Sequence, residues 1–116
     1  MKQRAPTAIL LVMAAFAFAQ TKGQTFTGEI MDKQCAHMQS HENMMKSVGA
    51  NNARECTLAC VKNGDKFVLF DRDAKKVYVI DDEKKVREYA GQRVQITGTY
   101  DDSTESLQVK TIEPAR

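Results

Sequence analysis

From residue 66 onward the chain alternates between runs rich in β-branched and aromatic residues and short polar turns, and this pattern leaves it few folds to choose from. Residues 66–70 (KFVLF) and 76–80 (KVYVI) flank the charged turn 71–75, which predicts a hairpin. Residues 93–100 (RVQITGTY) set Val94, Ile96, Gly98 and Tyr100 on one face. After the polar turn 101–105, the last strand carries Leu107 and Val109 inward, which predicts a second hairpin. Between the hairpins, residues 81–90 read as a short helix with Asp81 or Asp82 as its cap, Val86, Tyr89 and Ala90 as its apolar side, and Gly91 as its stop. Nearer the start, residues 25–32 (TFTGEIMD) alternate Phe26, Gly28 and Ile30 against Thr25, Thr27, Glu29 and Met31, the mark of a half-buried strand. Gly28 inside it predicts a bend or bulge that turns a barrel corner.

Between this strand and the hairpins lies a stretch of different character. Residues 35–60, CAHMQSHENMMKSVGANNARECTLAC, hold all three cysteines, both histidines and three of the six methionines. Residues 38–48 have helical spacing, with Met38, His41, Met45 and Val48 along one stripe and His37, His41 and Met44 along a neighbouring one; Gly49 would end that helix. A second helix follows, with Asn52 as N-cap, Glu55 as its capping partner and Asn63-Gly64 as its stop. On it, Ala53, Cys56 and Cys60 share a face that points inward.

The order is therefore strand, helices, hairpin, short helix, hairpin. Five strands with a helix before the fourth predict an α+β, mainly β domain: the small five-stranded Greek-key barrel called the OB-fold, with a helical, Cys-rich insert at residues 33–64 after strand 1. The ending AGQRVQITGTYDDSTESLQVKTIE resembles the C-terminal hairpin of OB-like domains in small bacterial exported proteins. Together with GEIMDKQC and ECTLACVKNGDKFVLF, it is similar to a set of uncharacterised periplasmic proteins built on this plan. The resemblance implies a fold and carries almost no functional content. Because an ordinary OB-fold joins its first two strands directly, a different α+β sandwich is the alternative architecture.

Residues 1–19, MKQRAPTAILLVMAAFAFA, place Lys2 and Arg4 ahead of an uncharged, mostly apolar run that ends in Ala17-Phe18-Ala19. This reads as a secretory signal peptide cleaved before Gln20. Its apolar run is too short to span a hydrocarbon core of about 30 Å as a helix. Cleavage leaves one domain, residues 20–116, expected to be exported to the periplasm or beyond, monomeric and not membrane-bound. The signal takes two of the 17 Lys and Arg and none of the 15 Asp and Glu, so the remaining domain is formally neutral. Such a domain lacks the basic footprint that a phosphate backbone demands, which argues against nucleic acid as a partner.

Three uses of the cysteines compete in an oxidising compartment. The first is a disulfide joining Cys35 to Cys56 or Cys60; a bridge between Cys56 and Cys60 is disfavoured because residues four apart on a helix point their Cβ vectors nearly parallel. The second is a metal site, in which Cys35, His37, Cys56 and Cys60 complete a tetrahedral Cys3His set suited to Zn(II), and His41, Met38, Met44 and Met45 add soft ligands suited to Cu(I). The third is thiol exchange, but the Cys-x3-Cys spacing is not the one that lowers a thiol pKa at a helix start.

No catalytic elbow, phosphate-cradling glycine loop, haem-attachment motif or internal repeat occurs, and the acidic pairs Asp81-Asp82 and Asp101-Asp102 read as a cap and a turn. The expectation is a non-enzymatic, exported binding domain with copper or zinc as its candidate cofactor. The alternative is a disulfide-stapled module for an unknown protein or small ligand, using the sheet around Val68, Phe70, Val77 and Val79. N-terminal sequencing of the exported protein should find Gln20 first in a soluble fraction; Met1 retained in a membrane fraction would contradict the signal-peptide reading.

Overall fold

The computed structural model describes residues 23–116, so the expected signal peptide at 1–19 lies outside the described residues. Strand β1 (Gln24–Asp32) is longer than any one of its partnerships: residues 24–29 pair with β4 (Arg93–Asp101), and residues 29–32 pair with β2 (Phe67–Asp71). The change of partner falls beside Gly28, which is buried against β2; a Cβ there would collide with the carbonyl of Phe70. Glycine is what allows the two backbones to come that close. From β2 the sheet continues to β3 (Lys76–Val79) as an antiparallel hairpin, and β4 pairs with β5 (Ser106–Pro114) as a second one. A single parallel bridge, Val79 to Ser106, joins the hairpins, so the strand order β1-β2-β3-β5-β4 returns to β1 and the five-stranded sheet closes on itself.

The strand periodicities hold. Ile30, Phe67, Leu69, Val94, Ile96, Leu107 and Val109 fill the closed sheet with Tyr78, and Val86 and Ala90 seal it from the segment before β4. Each such side chain contributes about 1.5–3 kcal/mol by leaving water. Phe26, Tyr78 and Tyr100 meet edge to face, with ring centroids 5.1 Å apart in both pairs. The short helix is less regular than its pattern suggests. It is one α-turn, α4 (Glu83–Val86), running into a 3₁₀ turn at Arg87–Tyr89. Asp82 stands at its N-cap position but makes no side-chain capping hydrogen bond: its carboxylate pairs with Lys85 at 3.6 Å, and Asp81 accepts from the Ser106 hydroxyl at 3.3 Å.

The insert holds three helices rather than two: α1 (Lys33–Met38), α2 (Glu42–Val48) and α3 (Ala53–Lys62). The single helix expected over 38–48 is broken because Gln39 adopts left-handed backbone, φ 58°, and closes α1. The unexpected α1 starts directly from β1, where the Asp32 side chain caps it. On α3 the expected cap is present: Asn52 Oδ1 accepts from the Glu55 amide at 2.9 Å, while Glu55 reaches back to the Asn51 amide at 2.8 Å.

These helices pack on the outside of β1, β2 and β3. A second core forms there from Met31, Cys35, Ala36, Cys56, Cys60, Val68 and Phe70, flanked by Met44, Met45, Val48, Val77 and Val79. This corrects the expectation of a binding face around Val68, Phe70, Val77 and Val79, because the chain's own insert occupies it. Replacing Gly28 by Val should destabilise the fold by about 2 kcal/mol or more, since neither backbone at that crossing can retreat freely; urea unfolding of the variant checks this.

Candidate metal centre

The site grows from the end of β1. Asp32 is 0 % exposed, and its Oδ2 accepts from the Cys35 amide at 2.9 Å, which fixes the first turn of α1 and turns the Cys35 thiol into the second core. From the other side, α3 presents Cys56 and Cys60, both buried, on one face, as the four-residue spacing requires. The connection between α1 and α2 then brings in His41. Ligand atoms of Asp32, Cys35, His41 and Cys56 all lie within 4.8 Å of one another. The Cys35 and Cys56 sulfurs are 3.9 Å apart, beyond the roughly 2.05 Å of a disulfide bond, and all three cysteines are free.

Two polar atoms in this group are buried without a hydrogen-bond partner: Asp32 Oδ1 and His41 Nδ1. Such atoms cost about 1–3 kcal/mol each when nothing satisfies them, and here both belong to residues whose ligand atoms converge. The other nitrogen of His41 is engaged. Its Nε2 lies 3.4 Å from Glu29 Oε2.

Electrostatics keep the thiols protonated in this state. Burial pushes Cys35 up strongly, and the neighbouring Asp32 carboxylate adds to it. Burial is also the main cause at Cys60, with Asp32 next, and takes it from an ordinary 9.0 up to about 12. Cys56 is raised by burial too, though the Cys35 thiol beside it works in the opposite direction. Burial and the neighbouring carboxylate thus disfavour the thiolate, the form that a reactive cysteine needs.

The structure groups the sequence-derived candidates as follows. Cys35 and Cys56 are in the converging group, and Cys60 is buried next to it. His37 is exposed on α1, and the imidazole within the converging group is that of His41, the secondary candidate. Asp32, the fourth member of the group, is absent from the sequence-derived candidates because it reads as the end of a strand; its signal was the Asp-x-x-Cys spacing of an N-cap. Met44 and Met45 pack half-buried against the second core, while Met38 is 43 % exposed.

Comparison with known proteins bears on the sheet and not on this cluster. Residues 61–115 match a family described as a protein of unknown function (DUF5818). The matched stretch takes in the end of α3 and strands β2 to β5, and it leaves out Asp32, Cys35, His41 and Cys56. No curated protein and no solved structure matches the chain.

The raised thiols make a pH prediction. At pH values below the ordinary 9.0, the cysteines are protonated in both the folded and the unfolded chain. Above it, the unfolded chain gives up protons that the folded chain retains, so stability is lost as pH climbs toward the folded-state values. The urea midpoint of reduced, metal-free protein should therefore fall as pH rises from about 8 to about 10.5. Cys60→Ala should fall less steeply than the unaltered protein, and identical slopes would remove the thiols from the explanation.

Proposed function

We propose that this chain is an exported, non-enzymatic OB-like domain that binds Zn(II) where its helical insert leaves β1, through Asp32, Cys35, His41 and Cys56. The strand order β1-β2-β3-β5-β4 closing on β1, with α4 placed before β4, supports the OB-like part of this reading. The observation that carries the metal part is the convergence of four donors within 4.8 Å, two of which bring a buried atom with no other partner. Two sulfurs, one imidazole nitrogen and one carboxylate oxygen form a mixed set that suits a borderline, tetrahedral ion. Ligand-to-metal bonds of about 2.0–2.3 Å require only a modest contraction of such a group. Four protein donors leave no open position, which favours a metal held for structure or storage over a catalytic one.

Binding exchanges protons for metal, because both cysteines must become thiolates. It also competes with oxidation. A 3.9 Å separation between the Cys35 and Cys56 sulfurs supports a second reading, in which export to an oxidising compartment closes them into a disulfide. That bridge would contribute about 3 kcal/mol through the loop it closes and would remove two of the four ligands. Zinc and disulfide therefore exclude each other, and Cys60 stays a thiol in either state.

Native mass spectrometry and competition titration separate these readings. Reduced protein should bind one Zn(II) with a Kd below about 1 μM, equivalent to about 8 kcal/mol, and protein oxidised at Cys35 and Cys56 should bind none at this site. Cys56→Ser should weaken binding by roughly 100-fold or more, His41→Ala should weaken it clearly, and His37→Ala should leave it unchanged. Reduced protein with no affinity tighter than about 1 μM would leave the disulfide-stapled domain as the better reading.

A further inference from the structure

Strand alternation puts Glu29 on the same face of β1 as Met31, the face that the helical insert covers. The connection between α1 and α2 sets His41 against it. Among the described residues, His41 is the one basic side chain within ion-pairing distance of Glu29. The carboxylate is 24 % exposed and the imidazole 11 %, so the pair is shielded from bulk water while Asp32, Cys35 and Cys56 are fully buried.

The geometry points to Glu29 as a positioning residue of the metal centre: it takes the Nε2 hydrogen of His41 and thereby leaves the Nδ1 lone pair for the metal. The inference rests on the zinc reading above and deepens it. An ionised carboxylate can only accept, so a hydrogen bond at Nε2 requires the hydrogen there; neutral imidazole then has its lone pair at Nδ1, the atom that is buried without a partner. A carboxylate on the far nitrogen of a metal-binding histidine fixes both tautomer and ring orientation. The role matters more here than it would at the other ligands. Asp32, Cys35 and Cys56 are set by a strand end and two helices, whereas His41 sits in a connection whose following helix, α2, buries none of its residues.

The test compares unaltered protein with Glu29→Ala and Glu29→Gln, using Zn(II) as the probe. Glu29 also lines an open groove of about 450 Å³ with Gly28, Phe70, Arg72 and Arg93, so its truncation widens a groove rather than opening a hole in the core. Glu29→Ala should weaken zinc binding by roughly 10- to 100-fold, and Glu29→Gln, which keeps an accepting oxygen, should recover most of the loss. Nitrogen-15 NMR of the reduced, metal-free protein should show His41 with its hydrogen on Nε2, and Glu29→Ala should lose that preference. Equal zinc affinity in Glu29→Ala, or an Nδ1 hydrogen in the unaltered protein, would overturn the assignment and leave the metal site standing. Unaltered reduced protein that takes up no zinc would overturn the metal reading itself and this role with it. If Glu29→Ala fails to fold, the tautomer of the unaltered protein and the affinity of Glu29→Gln still decide the matter.

Discussion

A carboxylate taken wholly out of water must be compensated by hydrogen bonds or opposite charge, and Asp32 is fully buried at the point where the sheet becomes the insert. One oxygen is satisfied by the Cys35 amide, and that bond ends β1, starts α1 and sets the direction in which the Cys35 thiol points. The other oxygen is left without a partner. Burial first, and then the same group that organises the local backbone, oppose ionisation of Cys35 and Cys60. Every later feature of the site depends on this arrangement.

The insert can hold such a site because it is tied to the sheet along two lines. Phe67 and Leu69 point into the closed sheet while Val68 and Phe70 point out of it, so β2 is buried on both faces and the insert has an apolar surface to lie on. Helix α3 belongs to both cores: Val61 and Leu58 pack with the sheet interior, and Cys56 and Cys60 with the outer layer. A donor on α3 therefore moves only if the sheet moves. His41 has no comparable anchorage, since its ring is held by Glu29 and by the chain between two short helices.

The β-sheet was legible because its signal is local. Strands in which Val94, Ile96 and Leu107 alternate with polar neighbours declare their inward face without reference to anything distant. Residues 67–70 say more than that: an unbroken apolar run is what a strand buried on both faces looks like, and it is the sequence sign of the covered surface. The converging group was only half legible. Cys35 and His37 look adjacent in a string, but two positions apart on a helix side chains point nearly opposite ways, and recognising α1 would have excluded His37. His41 and Asp32 are brought together by the left-handed turn at Gln39 and by the cap of α1, which are tertiary outcomes with weak sequence marks.

For the proposed site, charge balance would favour one of the two metals that the donor types allow. Taken with both thiols protonated, the imidazole neutral and the aspartate ionised, the group of Asp32, Cys35, His41 and Cys56 would carry one negative charge. Replacing two thiol protons with one Zn(II) leaves that total unchanged, and so does joining the two sulfurs in a disulfide. Replacing the same two protons with one Cu(I) adds a second negative charge to a site that is already desolvated, where an uncompensated charge is costly. In the proposed site the carboxylate would thus bias a cysteine pair that otherwise suits a soft ion toward a divalent one, and it would leave oxidation state, rather than charge, to decide between metal and disulfide.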